Sequence, residues 1–284
     1  MRDRYFVIHK EVGETPLMTV ERLRAERGIA PHVKLAYAGR LDPMASGALL
    51  VLTGDECKRQ KAYHGLDKEY EFEVLLGVSS DTGDVLGLAE YDQIQEPTIM
   101  HVHDCRFPFS SRMLMSAARS FLGTHTFPYP AFSSKTVGGV QLHRLAAEGR
   151  LNKAELPVRE ATVYRLRLIG VHTIGKDALH AAILKKIGTL PQVTDEEKAW
   201  GRDFRREEII ARWRDIFAKI PDGASFQIAR FSCICSSGTY MRTLAEKIAE
   251  HLSTRGLAFS IHRTKIGRYI PVLSKWGVWV RLYC

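Results

Sequence analysis

The stretch "AYAGRLDPMASGALLVLTG", residues 36–54, sets a single acidic side chain, Asp42, between Gly-Arg-Leu and Pro, then runs through Ala48 to Leu52 without a polar break. An Asp-Pro pair by itself merely starts a turn. The setting makes this one more than that. Gly39 and Gly47 permit tight backbone on either side, and the apolar run reads as a buried strand, so the loop is seated on a rigid sheet edge. A carboxylate held in a partly dry pocket can act as a nucleophile toward a sugar carbon or as a base, and it needs a cation to stay ionised.

Working outward, residues 4–9 (RYFVIH) read as a strand, and Leu17, Val20 and Leu23 mark one face of a helix ending at Gly28. Beyond the loop, EYEFEVLLG (69–77) puts Tyr70, Phe72, Val74 and Leu76 on one face and Glu69, Glu71 and Glu73 on the other, a half-buried strand. SSDTGD (79–84) is a turn, and 111–121 is helical. FPYPAFSSKTVGG (127–139) is a long irregular segment leading to a helix around Leu142 to Ala147. Residues 162–171 alternate as a strand. From 172 to 222 the pattern is helical, with Ile209, Trp213, Ile216 and Phe217 at helical spacing. SFQIARFSCIC (225–235) is a strand, followed by a turn and a helix with apolar residues Met241, Leu244, Ala245, Ile248, Ala249 and Leu252. This interleaving predicts an α+β fold around a mostly antiparallel mixed sheet flanked by helices.

A chain of 284 residues with 45% hydrophobic and 26% charged residues can bury a sizeable core, and nothing in it suggests disorder, a solenoid or a fibre. The longest apolar run is far short of a membrane helix, and the charged N-terminus MRDRYFVIHK argues against a signal peptide. Five scattered cysteines read as reduced thiols, which favours the cytoplasm. The net charge of +9 favours an anionic partner, nucleic acid first. His101, His103 and Cys105 share one face of an extended segment but lack a fourth ligand nearby, so strand alternation is preferred and no metal site is expected.

A cation for Asp42 is available in CSSGTYMRTLAEKIAEHL (235–252). Ser236 and Ser237 offer capping hydroxyls, Gly238 permits the turn, and Arg242 falls in the first helical turn, off the apolar face. Taken alone it is a solvated arginine, yet its fork suits a carboxylate or phosphate in a way no lysine can copy. Tyr70 is either core packing or a stacking platform for a base, worth ~1–3 kcal/mol, and pattern alone does not choose.

"GRLDPMASGALLVLTG" resembles the signature of the TruB family of tRNA pseudouridine synthases. Segments 5–16, 67–87, 129–149, 235–252 and HRTKIGRY (262–269) are similar to further family segments, in the same order and over nearly the whole chain. The resemblance implies a pseudouridine-synthase-like fold in one catalytic domain, with an inserted RNA-clamping thumb near 123–151. It implies that Asp42 is the catalytic aspartate, Tyr70 the tyrosine that stacks on the target base, and Arg242 the arginine paired with the aspartate. RNA-binding roles fall to Lys10, Tyr37, Arg40, Lys68, Lys135, Tyr240 and Arg263.

The implied reaction is an isomerisation: uracil is detached, rotated and rejoined to the ribose through carbon, with no cofactor, metal or nucleotide required. The target must first be extruded from folded RNA, at a cost of a few kcal/mol offset by stacking and backbone contacts. Whether Asp42 attacks the ribose, attacks the base or assists a glycal route stays open. The implied partner is RNA, tRNA above all, and the implied state is a monomer without membrane association.

Departures from the family pattern are Tyr37 where a histidine is usual, Glu11 for Pro, Pro16 for Ser, and no Gln before the thumb prolines. Segment 172–222 is longer than the usual connection, and the chain ends soon after HRTKIGRY, an expectation of no C-terminal PUA domain. A synthase for ribosomal or other RNA, or a catalytically silent RNA-binding module, are the alternatives.

Overall fold

The structure is a computed structural model that describes residues 4–91, 109–152, 156–190, 205–273 and 276–283. The chain opens with β1 (Tyr5–Lys10) and α1 (Pro16–Glu26). Proline in its first turn and the Thr15 hydroxyl, which accepts from the Met18 N–H at 3.2 Å, start that helix. Next come β2 (Leu35–Ala38), β3 (Ala45–Thr53), the short α2 (Gln60–His64), β4 (Asp67–Leu76) and a small hairpin of β5 (Val78–Ser80) and β6 (Ala89–Tyr91). After α3 (Ser111–Ser120) and β7 (Gly123–Pro128) comes a small segment within the range 123–151 expected as a thumb. It is a ribbon of β8 (Thr136–Val137) and β9 (Val140–Gln141) capped by α4 (Leu142–Ala147). The chain then runs through β10 (Val158–Gly175), α5 (Lys176–Gly188), α6 (Arg206–Lys219), β11 (Ser225–Cys235), α7 (Met241–His251), β12 (Gly256–Leu273) and β13 (Trp276–Tyr283).

Nine of these strands form one sheet in the order β1-β3-β12-β4-β11-β10-β7, with β2 added to β3 and β13 to β12. Every pairing in it is antiparallel except β12 with β3. The α+β expectation therefore holds. Cross-strand register puts Phe72 and Val74 of β4 beside Phe231 and Ala229 of β11 on one face and Leu75 beside Ile228 on the other, and all of them belong to one core. That core also takes in Leu244 and Ile248 of α7, Leu114 of α3, Leu179 and Ile183 of α5, and Trp213 of α6. Each large apolar side chain so buried contributes about 1.5–3 kcal/mol.

The unbroken apolar run of β3 has a separate explanation. Leu49 and Val51 pack under Val20 and Leu23 of α1, while Leu50 and Leu52 face the other way toward Ile266 and Tyr283. Both faces of β3 are dry, and the loop before it inherits that rigidity.

Three sequence readings are corrected. The helical pattern expected from 172 begins later, because β10 continues to Gly175 in antiparallel register with β11. Glu69, expected on an open face, is buried among Arg165 and Lys265, whose nitrogens lie 2.7 Å from its two oxygens. The hydroxyls of Ser236 and Ser237 do not cap α7. Ser236 accepts from the Thr162 N–H at 2.8 Å, and Ser237 donates to the His64 carbonyl at 2.6 Å.

Candidate active site

The Asp42 loop spans β2 to β3, and its shape is fixed by donors from neighbouring strands. Lys10, at the end of β1, donates to the Ala45 carbonyl at 2.6 Å and the Glu11 carbonyl at 2.8 Å. Arg263 of β12 donates to the carbonyls of Ala48, Arg40 and Gly39 at 2.7, 3.0 and 3.3 Å. Both cations are fully buried, so their hydrogen bonds act without competition from water. Burial lowers the Lys10 amine to about 8, partly offset by Glu14 and Asp42. Gly47 makes the close approach possible: at φ 109°, a Cβ there would lie 2.2 Å from the Arg263 carbonyl oxygen.

Arg242 reaches Asp42 from the first turn of α7. Its Nε donates to Asp42 Oδ2 at 2.8 Å, NH1 to the Thr82 carbonyl at 2.7 Å, and NH2 to the Phe132 carbonyl at 3.2 Å. The arginine is 5% exposed, far from the solvated residue its place off the apolar face suggests. Burial opposes its charge, but Asp42 and Asp84 outweigh it and hold the guanidinium protonated. Asp42 itself stays 40% exposed, with Oδ1 free of hydrogen bonds among the described residues. One carboxylate oxygen is thus anchored and the other presented.

Two further acids face the same guanidinium. Asp84, from the turn after β5, has Oδ2 3.7 Å from Arg242 Nε. Burial pushes its carboxyl up to about 6 against the pull of Arg242. Glu246, one turn along α7, is pushed up to about 7, again by burial opposed by Arg242. A side chain at Gly83 would meet Glu246 Oε1 at 2.9 Å, so the turn and the helix are in contact.

These groups border a cleft of about 870 Å³, whose lining includes Asp42, Tyr70, Arg242, Tyr37, Arg40, Lys68, Tyr240 and Arg263. The space exceeds what a nucleobase needs. Tyr70 forms the floor at 8% exposure, and burial pushes its phenol up to about 12, with Arg263 opposing. Its ring is therefore neutral and apolar, suited to stacking, and it also belongs to the main core. At the rim the Tyr240 ring lies 5.6 Å from that of Tyr129, and Lys135 Nζ stands 5.4 Å over Tyr129.

Of the residues expected to contact RNA, Tyr37, Arg40 and Tyr240 line the open cleft. Lys10 lies beneath the loop and Lys135 on the exposed ribbon, both outside the lining. Lys68 and Arg263 line the cleft but are buried, with donors directed to backbone carbonyls; Lys68 Nζ holds the Leu66 carbonyl at 2.5 Å. Sequence reasoning missed Asp84, Glu246 and Arg159. The only available signal for Asp84 was a second acid in the Thr- and Gly-bearing turn 79–84. Arg159 sits across the cleft mouth, its NH2 donating to the Ser237 carbonyl at 3.1 Å. His101, His103 and Cys105 lie outside the described residues.

An aspartate anchored on a buried arginine above a tyrosine floor, on a sheet of this topology, fits the pseudouridylate synthase class. Residues 27–189 match the family model described as TruB family pseudouridylate synthase (N terminal domain). The chain belongs to the TruB family. It is 26% identical over 267 residues to the tRNA pseudouridine synthase B of Rickettsia felis, covering 94% of this chain and 59% of that protein. It is 28% identical over 271 residues to the tRNA pseudouridine synthase B of Thermobifida fusca, covering 95% and 71%. This chain thus spans about three fifths of the length of the Rickettsia protein. A chain in the crystal structure of a Cbf5-Nop10-Gar1 complex shares the fold, with TM-score 0.51 and 14% identity over 93% of this chain and 48% of that one.

Proposed function

We propose that this protein is an RNA pseudouridine synthase that isomerises a flipped-out uridine of tRNA, in the T loop, with Asp42 as the catalytic aspartate. The observation that carries the reading is the 2.8 Å pair of Asp42 with Arg242, residues 200 positions apart, bordering a cleft that has room for a nucleobase and is lined by Tyr70. The names of the relatives support tRNA as the substrate class. In this reading Arg242 holds and aims Asp42, and the free Oδ1 meets the ribose or the base. Tyr70 stacks on the extruded uracil, which offsets part of the cost of unstacking.

Tyr37, Arg40, Tyr240 and Lys135 contact the RNA directly, whereas Lys10 and Arg263 act by holding the loop that carries Asp42 and Lys68 by holding the carbonyls of His64 and Leu66 at the cleft wall. The basic surface supplies the salt-dependent attraction to phosphate. The proposal includes a monomer working in the cytoplasm without a cofactor. It is tested by incubating the protein with tRNA and ribosomal RNA transcripts tritiated at uridine C5 and measuring tritium release, with pseudouridine located by a pseudouridine-selective mass label. Pseudouridine in the T loop of tRNA supports the reading. Product only in ribosomal RNA would move the substrate, and none in either would end the enzymatic reading.

A further inference from the structure

The helical stretch between β10 and β11 has no part in the chemistry described so far, yet it is fastened to the cleft. Trp213 Nε1–H donates to the Val85 carbonyl at 3.1 Å, and the Arg212 guanidinium donates to the Ala89 carbonyl at 2.8 Å. Helix α6 is thereby fixed against the segment that follows β5. Immediately before this helix stands Arg205, in left-handed backbone at φ 55°.

The Arg205 side chain touches two segments at once. NH1 donates to Asp81 Oδ2 at 2.7 Å, with the two side chains only 18% and 21% exposed. Its Cζ lies 4.8 Å from the centre of the Phe132 ring. Asp81 is already oriented from behind, because its Oδ1 accepts from the Leu88 N–H at 2.8 Å. The two partners of Arg205 belong to the two segments whose carbonyls hold Arg242: Thr82 follows Asp81, and Phe132 supplies its own carbonyl. One guanidinium therefore braces both supports of another.

We infer that Arg205 is a positioning residue for the Asp42–Arg242 pair, locking the Phe132 segment of the thumb against the Asp81–Thr82 turn and so fixing the two carbonyls that orient Arg242. The inference rests on reading the cleft as a pseudouridine synthase site. The residue type matters. A planar guanidinium donates in its plane to a carboxylate while laying its face on a ring, and an ammonium on a flexible stem does not reproduce that combination. The pair is partly shielded, so salt screens it less than a surface pair. Misplacing a reacting group by an ångström is enough to slow chemistry on the order of a hundredfold.

The test is steady-state kinetics of pseudouridine formation on tRNA transcript, with melting temperature measured in parallel. The proteins are the unmodified one, Arg205→Ala, Arg205→Lys, Asp81→Asn, the Arg205→Ala/Asp81→Asn double variant, and Trp213→Phe. The last weakens the anchoring of the same insertion without touching the brace. The expected result for Arg205→Ala is a kcat lowered roughly ten- to a hundredfold with KM within about twofold. Arg205→Lys recovers part of the loss, and the double variant is no worse than Arg205→Ala, since both substitutions break one interaction. Trp213→Phe lowers the melting temperature and leaves kcat unchanged. An Arg205→Ala enzyme with normal kcat, a rise in KM alone, or kcat losses that track melting temperature equally in Trp213→Phe would overturn the inference while the synthase reading stands. An unmodified protein that forms no pseudouridine would overturn both.

Discussion

The Asp42 loop and the Phe132 segment both give backbone carbonyls to a buried cation, but they are built to different tolerances. The loop is gripped by Lys10 and Arg263, both fully buried, which between them hold carbonyls from Gly39 to Ala48. The Phe132 segment offers one carbonyl to Arg242 and one ring face to Arg205, and beyond it the β8–β9 ribbon is exposed. The side of the cleft that carries the acid is fixed before any RNA arrives. In the proposed reading the other side meets the RNA, and of it only the root, at Phe132, is tied to Arg242.

The strongest way to break this contrast is at Arg242. Arg242→Lys keeps the charge but cannot serve Asp42, Thr82 and Phe132 from one plane, so turnover should fall by roughly two orders of magnitude or more in a protein that still folds, measured by single-turnover kinetics. A Lys10→Met substitution probes the rigid side. It leaves buried carbonyls without a donor at about 1–3 kcal/mol each, so the urea midpoint should drop by about 3 kcal/mol equivalent, with activity lost alongside stability. Unchanged stability there would mean that the loop holds itself.

The acids around Arg242 sharpen the comparison through pH. Burial raises the Glu246 carboxyl from its ordinary 4.5 to about 7, so the folded protein holds that proton more tightly than the unfolded chain. The stability this contributes is fully present below pH 4.5 and is lost as pH rises through 7. Glu246→Gln lacks this dependence. Its stability relative to the unmodified protein should therefore improve between pH 4.5 and 7.5, by on the order of 2–3 kcal/mol in denaturant titrations. A flat difference would mean that the carboxyl is not held in a dry site. The smallest effect belongs to the ribbon. Lys135→Ala should leave stability within about 0.5 kcal/mol, raise KM for RNA roughly threefold and flatten its salt dependence. A larger loss of stability would show the ribbon to be part of the rigid frame.

Much of this was legible in the chain. The strand 225–235 is readable to the residue, because alternation with β-branched and aromatic residues has one interpretation when a turn follows directly. Asp42 is readable because Gly, Pro and the apolar strand around it are local, and the resemblance named its partners Tyr70 and Arg242. What sequence could not supply was burial that depends on distant residues. Arg242 is polar by type and off the apolar stripe, yet it is enclosed by carbonyls 110 and 160 residues away. Glu69 obeys the strand period but is covered because Arg165 and Lys265 arrive from other strands. Lys10 and Arg263 look like phosphate contacts by charge, and only the register of β1 and of β12 on β3, which sets both opposite Gly47, reveals them as clamps. The serine hydroxyls before α7 are good caps by composition, but β10 and the end of α2 compete for them and win.

The claim on which the rest depends is that the Asp42 carboxylate performs the chemistry while its neighbours position it and bind RNA. The most direct measurement compares the unmodified protein with Asp42→Asn, an isosteric change, for tRNA affinity by filter binding and for pseudouridine formed per enzyme in a single turnover. The account predicts affinity within a fewfold and no pseudouridine from the variant. Full turnover by Asp42→Asn would contradict it.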